Sequence, residues 1–276
     1  MTNYGQDQGK CGVAYTSSAP LQFDEQQVAL FRQVLTLLES AKHPYAVAGA
    51  FALRQHTGIC RFTKDLDIFL PPARARQALK ILHENGLTCE IPDPVWLAKV
   101  HRGGYFVDLI TGMSNGVITV DDTWIERAQP ARVCDVESRV LAPEEMLASK
   151  LFVTRRERFD GADIAHIIFA SGGRLDWDRI LQLAGEHWGL VLWSLMLFQY
   201  VYPTHSDYVP KTVWKDLMAR LGRELDSPNP AARFRGSLID DAMFAIDMEE
   251  WALHDLQNEY RGRRIPIDLQ SDRGSV

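Results

Sequence analysis

Asp65 and Asp67 stand two residues apart at the head of the apolar run Ile68-Phe69-Leu70, and a third carboxylate, Asp108, is set inside Tyr105-Phe106-Val107-Asp108-Leu109-Ile110. A strand sends alternate side chains to one face, so Asp65 and Asp67 point the same way from backbones about 6–7 Å apart. Two carboxylates so placed can clamp one or two Mg²⁺ or Mn²⁺ ions. Side chains aimed inward close that gap to suit a metal pair about 3.5–4 Å apart, the arrangement used in phosphoryl transfer. An ionised Asp108 in the middle of an apolar strand costs several kcal/mol unless a cation or hydrogen bonds compensate it. Upstream, residues 45–48 read as a short apolar strand, Gly49-Ala50 as a turn with little side chain, and residues 51–56 as a helix whose free N–H groups face an anion. Carboxylates for a divalent cation beside a cradle for phosphate suit the chemistry of a nucleoside triphosphate.

A Gly-x-small turn opening a helix, then Asp-x-Asp, then a lone Asp on a later strand resembles the DNA polymerase beta-like nucleotidyltransferase superfamily. The wording Arg61-Phe62-Thr63-Lys64-Asp65-Leu66-Asp67 narrows the likeness, as do the segments 143–150 and 158–163. Together they are similar to the bacterial abortive-infection toxin and related stand-alone nucleotidyltransferases, over residues 45–170. The resemblance implies transfer of a nucleoside monophosphate from a nucleoside triphosphate to an acceptor hydroxyl, with pyrophosphate released. It makes Asp65, Asp67 and Asp108 the catalytic and metal-holding residues, Asp108 being the base. Gly49, Ala50, Arg61, Thr63 and Lys150 fall at the nucleotide, and Arg155, Arg156, Asp160 and Asp163 at the acceptor or cleft. The branch commonly carries Gly-Gly or Gly-Ser where this chain has Gly49-Ala50, so backbone donors must replace a hydroxyl at the terminal phosphate. An RNA end is favoured as acceptor by the resemblance and by the cluster Lys150, Arg155, Arg156 and Arg158, with a small molecule or a protein close behind. A partner antitoxin is a further implication.

Other readings of the same residues are weaker. A calcium loop needs oxygen ligands where Ile68, Phe69 and Leu70 stand, and lacks its central glycine. A dehalogenase-type phosphatase needs an apolar strand before its first Asp, whereas residues 61–64 are polar. Glu144 and Glu145 early in a helix, with Lys150, Arg155, Arg156 and Arg158 toward its end, also satisfy dipole complementarity without any function. His166 has an ordinary helix-surface or core role. A catalytically silent nucleotide-binding protein, or one half of a toxin–antitoxin pair, remains the alternative to an enzyme.

The elements that must position these groups follow from periodicity. Helical spacing marks 24–41 and 73–85; strands are expected at 45–48, 66–70, 87–91, 95–100, 105–110 and, more weakly, 131–141. That is an α/β catalytic domain with a mixed sheet, placed at 21–142. After Pro143 the strands stop. Helices at 143–156, 160–170, 176–186, 188–201, 210–225 and 237–260 make an α-helical bundle domain over 143–260, with Ser237 and Asp240 as a capping box for the last helix. Residues 1–20 read as a leader and 261–276 as a tail. The apolar block 189–198 is short of the about 20 residues a bilayer demands, so no membrane partner is expected. Cys11, Cys60, Cys89 and Cys134 are scattered without metal spacing, which suits reduced thiols in the cytoplasm and no zinc site. With 30 basic against 36 acidic residues, the chain has no general nucleic-acid footprint.

Overall fold

The computed structural model describes residues 15–16 and 23–267. In chain order its first part runs β1 (Tyr15–Thr16), α1 (Glu25–Ser40), β2 (Ala46–Val47), α2 (Gly49–Thr57), β3 (Cys60–Arg61), β4 (Asp65–Phe69), α3 (Pro72–Glu84), β5 (Thr88–Asp93), β6 (Leu97–Arg102), β7 (Tyr105–Ile110), α4 (Asp122–Glu126), β8 (Gln129–Val133) and β9 (Val136–Val140). Asp24 caps α1, its carboxylate accepting from the Gln26 N–H, and the α1 stripe Leu30, Phe31, Val34, Leu35 and Leu38 is fully buried. Seven strands form one mixed sheet in the order β5-β6-β7-β4-β2-β9-β8. Two pairings are parallel, β4 with β7 and β2 with β9. The expected weak strand over 131–141 is a hairpin, because Cys134 and Asp135 both turn at positive φ.

The remainder is helical apart from one small hairpin: α5 (Pro143–Lys150), β10 (Thr154–Arg155), β11 (Arg158–Phe159), α6 (Gly161–Ser171), α7 (Trp177–Ala184), α8 (Trp188–Val201), α9 (Lys211–Asp226), α10 (Gly236–Ile239), α11 (Ala245–Glu249) and α12 (Leu256–Gly262). Helices α5 and α6 both pack on α2, which carries the Gly49 turn, so the helical region bears directly on the site.

Several expectations change here. The helix expected over 143–156 stops at Lys150, and the β10–β11 hairpin follows, so Arg155, Arg156 and Arg158 do not decorate a helix end. Glu144 and Glu145 are buried rather than solvated at the start of α5: Arg127 and Arg179 meet Glu145 at 3.1 and 2.9 Å, and the Asp176 N–H donates to Glu144. Burial pushes the Glu145 carboxyl up, and its two arginines oppose that. The helix expected over 237–260 is three short ones, and Ser237 lies inside α10, where it accepts from the Gln257 N–H instead of capping. Within the expected tail, Arg261 holds Asp93, Arg264 bonds the carbonyls of Gly116 and Val117, and Ile267 is buried with its N–H on the Pro94 carbonyl. Those contacts bind residues 261–267 to the end of β5 and to the segment after β7; 268–276 lie outside the described residues. So does the expected leader except Tyr15 and Thr16, which pair antiparallel with Arg61 and Cys60.

The run Trp177–Val201 is long and apolar enough, by length and composition alone, to cross a membrane. It is two helices: Gly185, at φ 54 and ψ −127, breaks it, and Ile180, Val191, Leu192, Leu195 and Phe198 lie in the protein's own core.

Candidate active site

The parallel β4–β7 pairing sets Asp67 level with Asp108, and Asp65 joins them from the same face of β4. One carboxylate oxygen from each of Asp65, Asp67 and Asp108 lies within 4.8 Å of the others. Thr63, just before the strand, donates its hydroxyl to Asp65 Oδ1 at 2.6 Å and so fixes that side chain. Three carboxylates this close repel one another. Burial first, then Asp65 and Asp108, push the Asp67 carboxyl up to about 7. Burial also raises Asp108, and Lys99 opposes that rise.

Gly49 explains why the turn before α2 has no side chain. Its φ is +54, and a Cβ there would lie 1.8 Å from Asp67 Oδ2. The Ala48 N–H donates to the Asp67 carbonyl at 2.9 Å, locking the turn to β4. The head of α2 is thus held against the acidic cluster with no side-chain cap. Its first N–H groups, at Gly49, Ala50 and Phe51, have no partner within the helix.

Lys99 is a member of the site that the sequence reading missed. Its Nζ lies 2.6 Å from Asp108 Oδ1 and 3.9 Å from the centre of the Phe106 ring. A signal was available: a tight turn at Gly103-Gly104 pairs Arg102 with Tyr105 and, counting outward, Lys99 with Asp108.

The downstream candidates form a separate buried ion network. Lys150 Nζ is 2.7 Å from both Asp160 and Asp163, Arg61 grips Asp163 with contacts of 2.8 and 3.0 Å, and Arg158 bonds Asp160. Burial alone would raise Asp160, yet Lys150 and Arg158 bring it down to about 2. Lys150 is 4% exposed, so its charge is committed to the two carboxylates. The network still touches the acidic trio electrostatically, because Arg158 and Lys150 both favour the ionised form of Asp67. Arg155 donates to the Ser114 hydroxyl, and Arg156 is exposed with its backbone N–H on Asp240.

The trio fits a divalent cation. All its donors are hard carboxylate oxygens, the set that suits Mg²⁺ or Mn²⁺, and their mutual repulsion is what such an ion relieves.

A mixed sheet with helical cover, an Asp-x-Asp strand beside a third Asp, and a glycine turn against them define a nucleotidyltransferase catalytic scaffold. Residues 20–198 match the model of a family described as "uncharacterised nucleotidyltransferase", and the chain belongs to that family. It is therefore an enzyme of the nucleotidyl-transferring class. No curated protein matches it. Among solved structures it is similar to the antibiotic-resistance factor ANT(2'')-Ia, with 17% identity over 58% of this chain and 90% of that one, TM-score 0.41. It is also similar to the lincosamide antibiotic adenylyltransferase LnuA, with 17% identity over 52% and 96%, TM-score 0.37. A third is an antigenic nucleotidyltransferase-like protein from Paracoccidioides brasiliensis, with 14% identity over 67% and 94%, TM-score 0.42.

Proposed function

We propose that this protein moves a nucleoside monophosphate from a nucleoside triphosphate to an acceptor hydroxyl, releasing pyrophosphate, with Mg²⁺ or Mn²⁺ at Asp65, Asp67 and Asp108. The supporting observation is the convergence of the three carboxylates directly against the Gly49 turn at the head of α2. When bound, the divalent cation supplies charge neutralisation for the triphosphate and the departing pyrophosphate. The chain's own groups do the rest. The N–H groups of Gly49, Ala50 and Phe51 donate to phosphate oxygens, which compensates for the missing hydroxyl at Ala50. Thr63 holds Asp65 in the orientation the triphosphate requires. Asp108, oriented by Lys99, accepts the proton of the attacking hydroxyl. Lys150 and Arg61 act through Asp160 and Asp163, stiffening the wall beside the nucleotide rather than gripping phosphate themselves.

On the acceptor, the charge arrangement favours a compact hydroxylated molecule or a protein side chain over an RNA end. Of the four cations that suggested an RNA track, Lys150 is buried against Asp160 and Asp163 and Arg158 is paired with Asp160, which leaves Arg155 and Arg156. We propose residues 21–142 as the catalytic unit and 143–260 as the helical unit that shapes the acceptor side.

The test is incubation with each labelled nucleoside triphosphate, Mg²⁺ and a cell extract, comparing wild type with Asp67→Asn. Label in a small-molecule or protein fraction, absent with the variant, supports the reading. Label in RNA overturns the acceptor assignment. Metal-dependent nucleotide binding without any transfer would leave the silent nucleotide-binding alternative standing.

A further inference from the structure

We propose that the acidic cluster holds a single divalent ion and that the Lys99 ammonium takes the place of a second, making this a site of one metal and one lysine. The inference rests on the nucleotidyl-transfer reading above. Its basis is a pairing imposed by the sheet: Lys99 lies directly across the β6–β7 ladder from Asp108, with its Nζ 2.6 Å from Asp108 Oδ1. The lysine is not a loose surface charge. Its side chain keeps 21% of its exposure, and its ammonium rests 3.9 Å from the centre of the Phe106 ring, a cation–π contact that holds it toward the carboxylate.

A second divalent ion would have to bind Asp108 at about 2.0–2.1 Å while sitting about 3.5–4 Å from the first. The ammonium at 2.6 Å already takes the Oδ1 face of that carboxylate and repels a further cation there. One oxygen from each of Asp65, Asp67 and Asp108 lies within 4.8 Å of the others, a convergence that suits one ion. Charge points the same way: the Lys99 ammonium already answers the Asp108 carboxylate, which weakens its hold on a second divalent ion. Lys99 is therefore a positioning residue, holding Asp108 by one oxygen and setting the number of metals.

The experiment is electron paramagnetic resonance of Mn²⁺ bound to the full chain, titrated alone and with α,β-methylene analogues of the four nucleoside triphosphates. Wild type and Lys99→Arg should each hold one Mn²⁺ per chain with the spectrum of an isolated ion. Lys99→Met should bind a second Mn²⁺ and show the spin-coupled spectrum of two neighbouring ions, a signature that a merely structural lysine would not move. A coupled pair in wild type overturns this inference and leaves the nucleotidyl-transfer reading intact. So does one isolated ion in folded Lys99→Met with wild-type affinity. No bound Mn²⁺ in wild type overturns the metal site and this inference with it. Since the wild-type count alone can refute the proposal, it does not depend on the methionine variant folding.

Discussion

Replacing Asp67 by Asn should stabilise the metal-free protein, and by an amount that depends on pH in a definite direction. The Asp67 carboxyl is pushed from 3.8 to about 7 by burial and by Asp65 and Asp108. The unfolded chain therefore loses this proton at lower pH than the folded one does. Between those values the folded state binds more protons, so stability falls as pH rises, and the full cost is reached above pH 7. At 1.36 kcal/mol per unit the ceiling is about 4 kcal/mol at pH 8, and the same arithmetic leaves roughly 1–2 kcal/mol at pH 5. Asn keeps the shape of the protonated carboxyl and removes this cost. At roughly 2–4 °C per kcal/mol for a chain of this size, the variant should melt several degrees above wild type at pH 8 in EDTA. At pH 5 the gain should be less than half as large. Saturating Mg²⁺ with a nucleoside triphosphate should reverse the order, because ligand binding to the folded state stabilises wild type and not the variant. Thermal melts at the two pH values, with and without Mg²⁺, read all of this. A variant less stable than wild type at pH 8 in EDTA, or a gain that does not shrink at pH 5, would refute the electrostatic reasoning.

Gly49→Ala should lower the melting temperature through the positive φ alone, worth about 1–2 kcal/mol, and should abolish transfer because its Cβ displaces the Asp67 carboxylate; wild-type transfer rates would disprove the close approach. Lys150→Met leaves Asp160 and Asp163 buried with less compensation and should cost about 3–5 kcal/mol by chemical denaturation. A loss near zero, with only nucleotide affinity reduced, would return Lys150 to the triphosphate. Transfer to a compact acceptor should be nearly insensitive to added salt; an RNA acceptor gripped by Arg155 and Arg156 would instead lose about 0.7–0.9 from the log–log slope for each phosphate contact removed in alanine variants.

Much of the site could be read from residue types and local spacing. The Asp65-x-Asp67 pair, the isolated Asp108 and the turn at Gly49 are local facts: period-two geometry puts two carboxylates on one face, and a charge in an apolar strand demands a partner. The strands β2 and β4 to β7 and the boundaries of α1 and α3 were equally legible, whereas β8 and β9 read as one weak strand. The end of α5 was not. Arg155 and Arg156 are as compatible with a helix as with the hairpin they form, and the packing of Phe159 against Gly161 is a contact made only once the chain has turned back.

What only tertiary structure decided is which charges belong together. The parallel alignment of β4 with β7 brings Asp108 beside Asp67 across some forty residues of chain, and periodicity carries no information about which strands are neighbours. Likewise Arg61 meets Asp163 from 102 positions away, turning residues that looked like phosphate and acceptor ligands into a buried ion network. A residue's type states what it could bind. Its burial, and the opposite charge the fold puts in reach, determine whether that capacity is left for a substrate or satisfied within the protein.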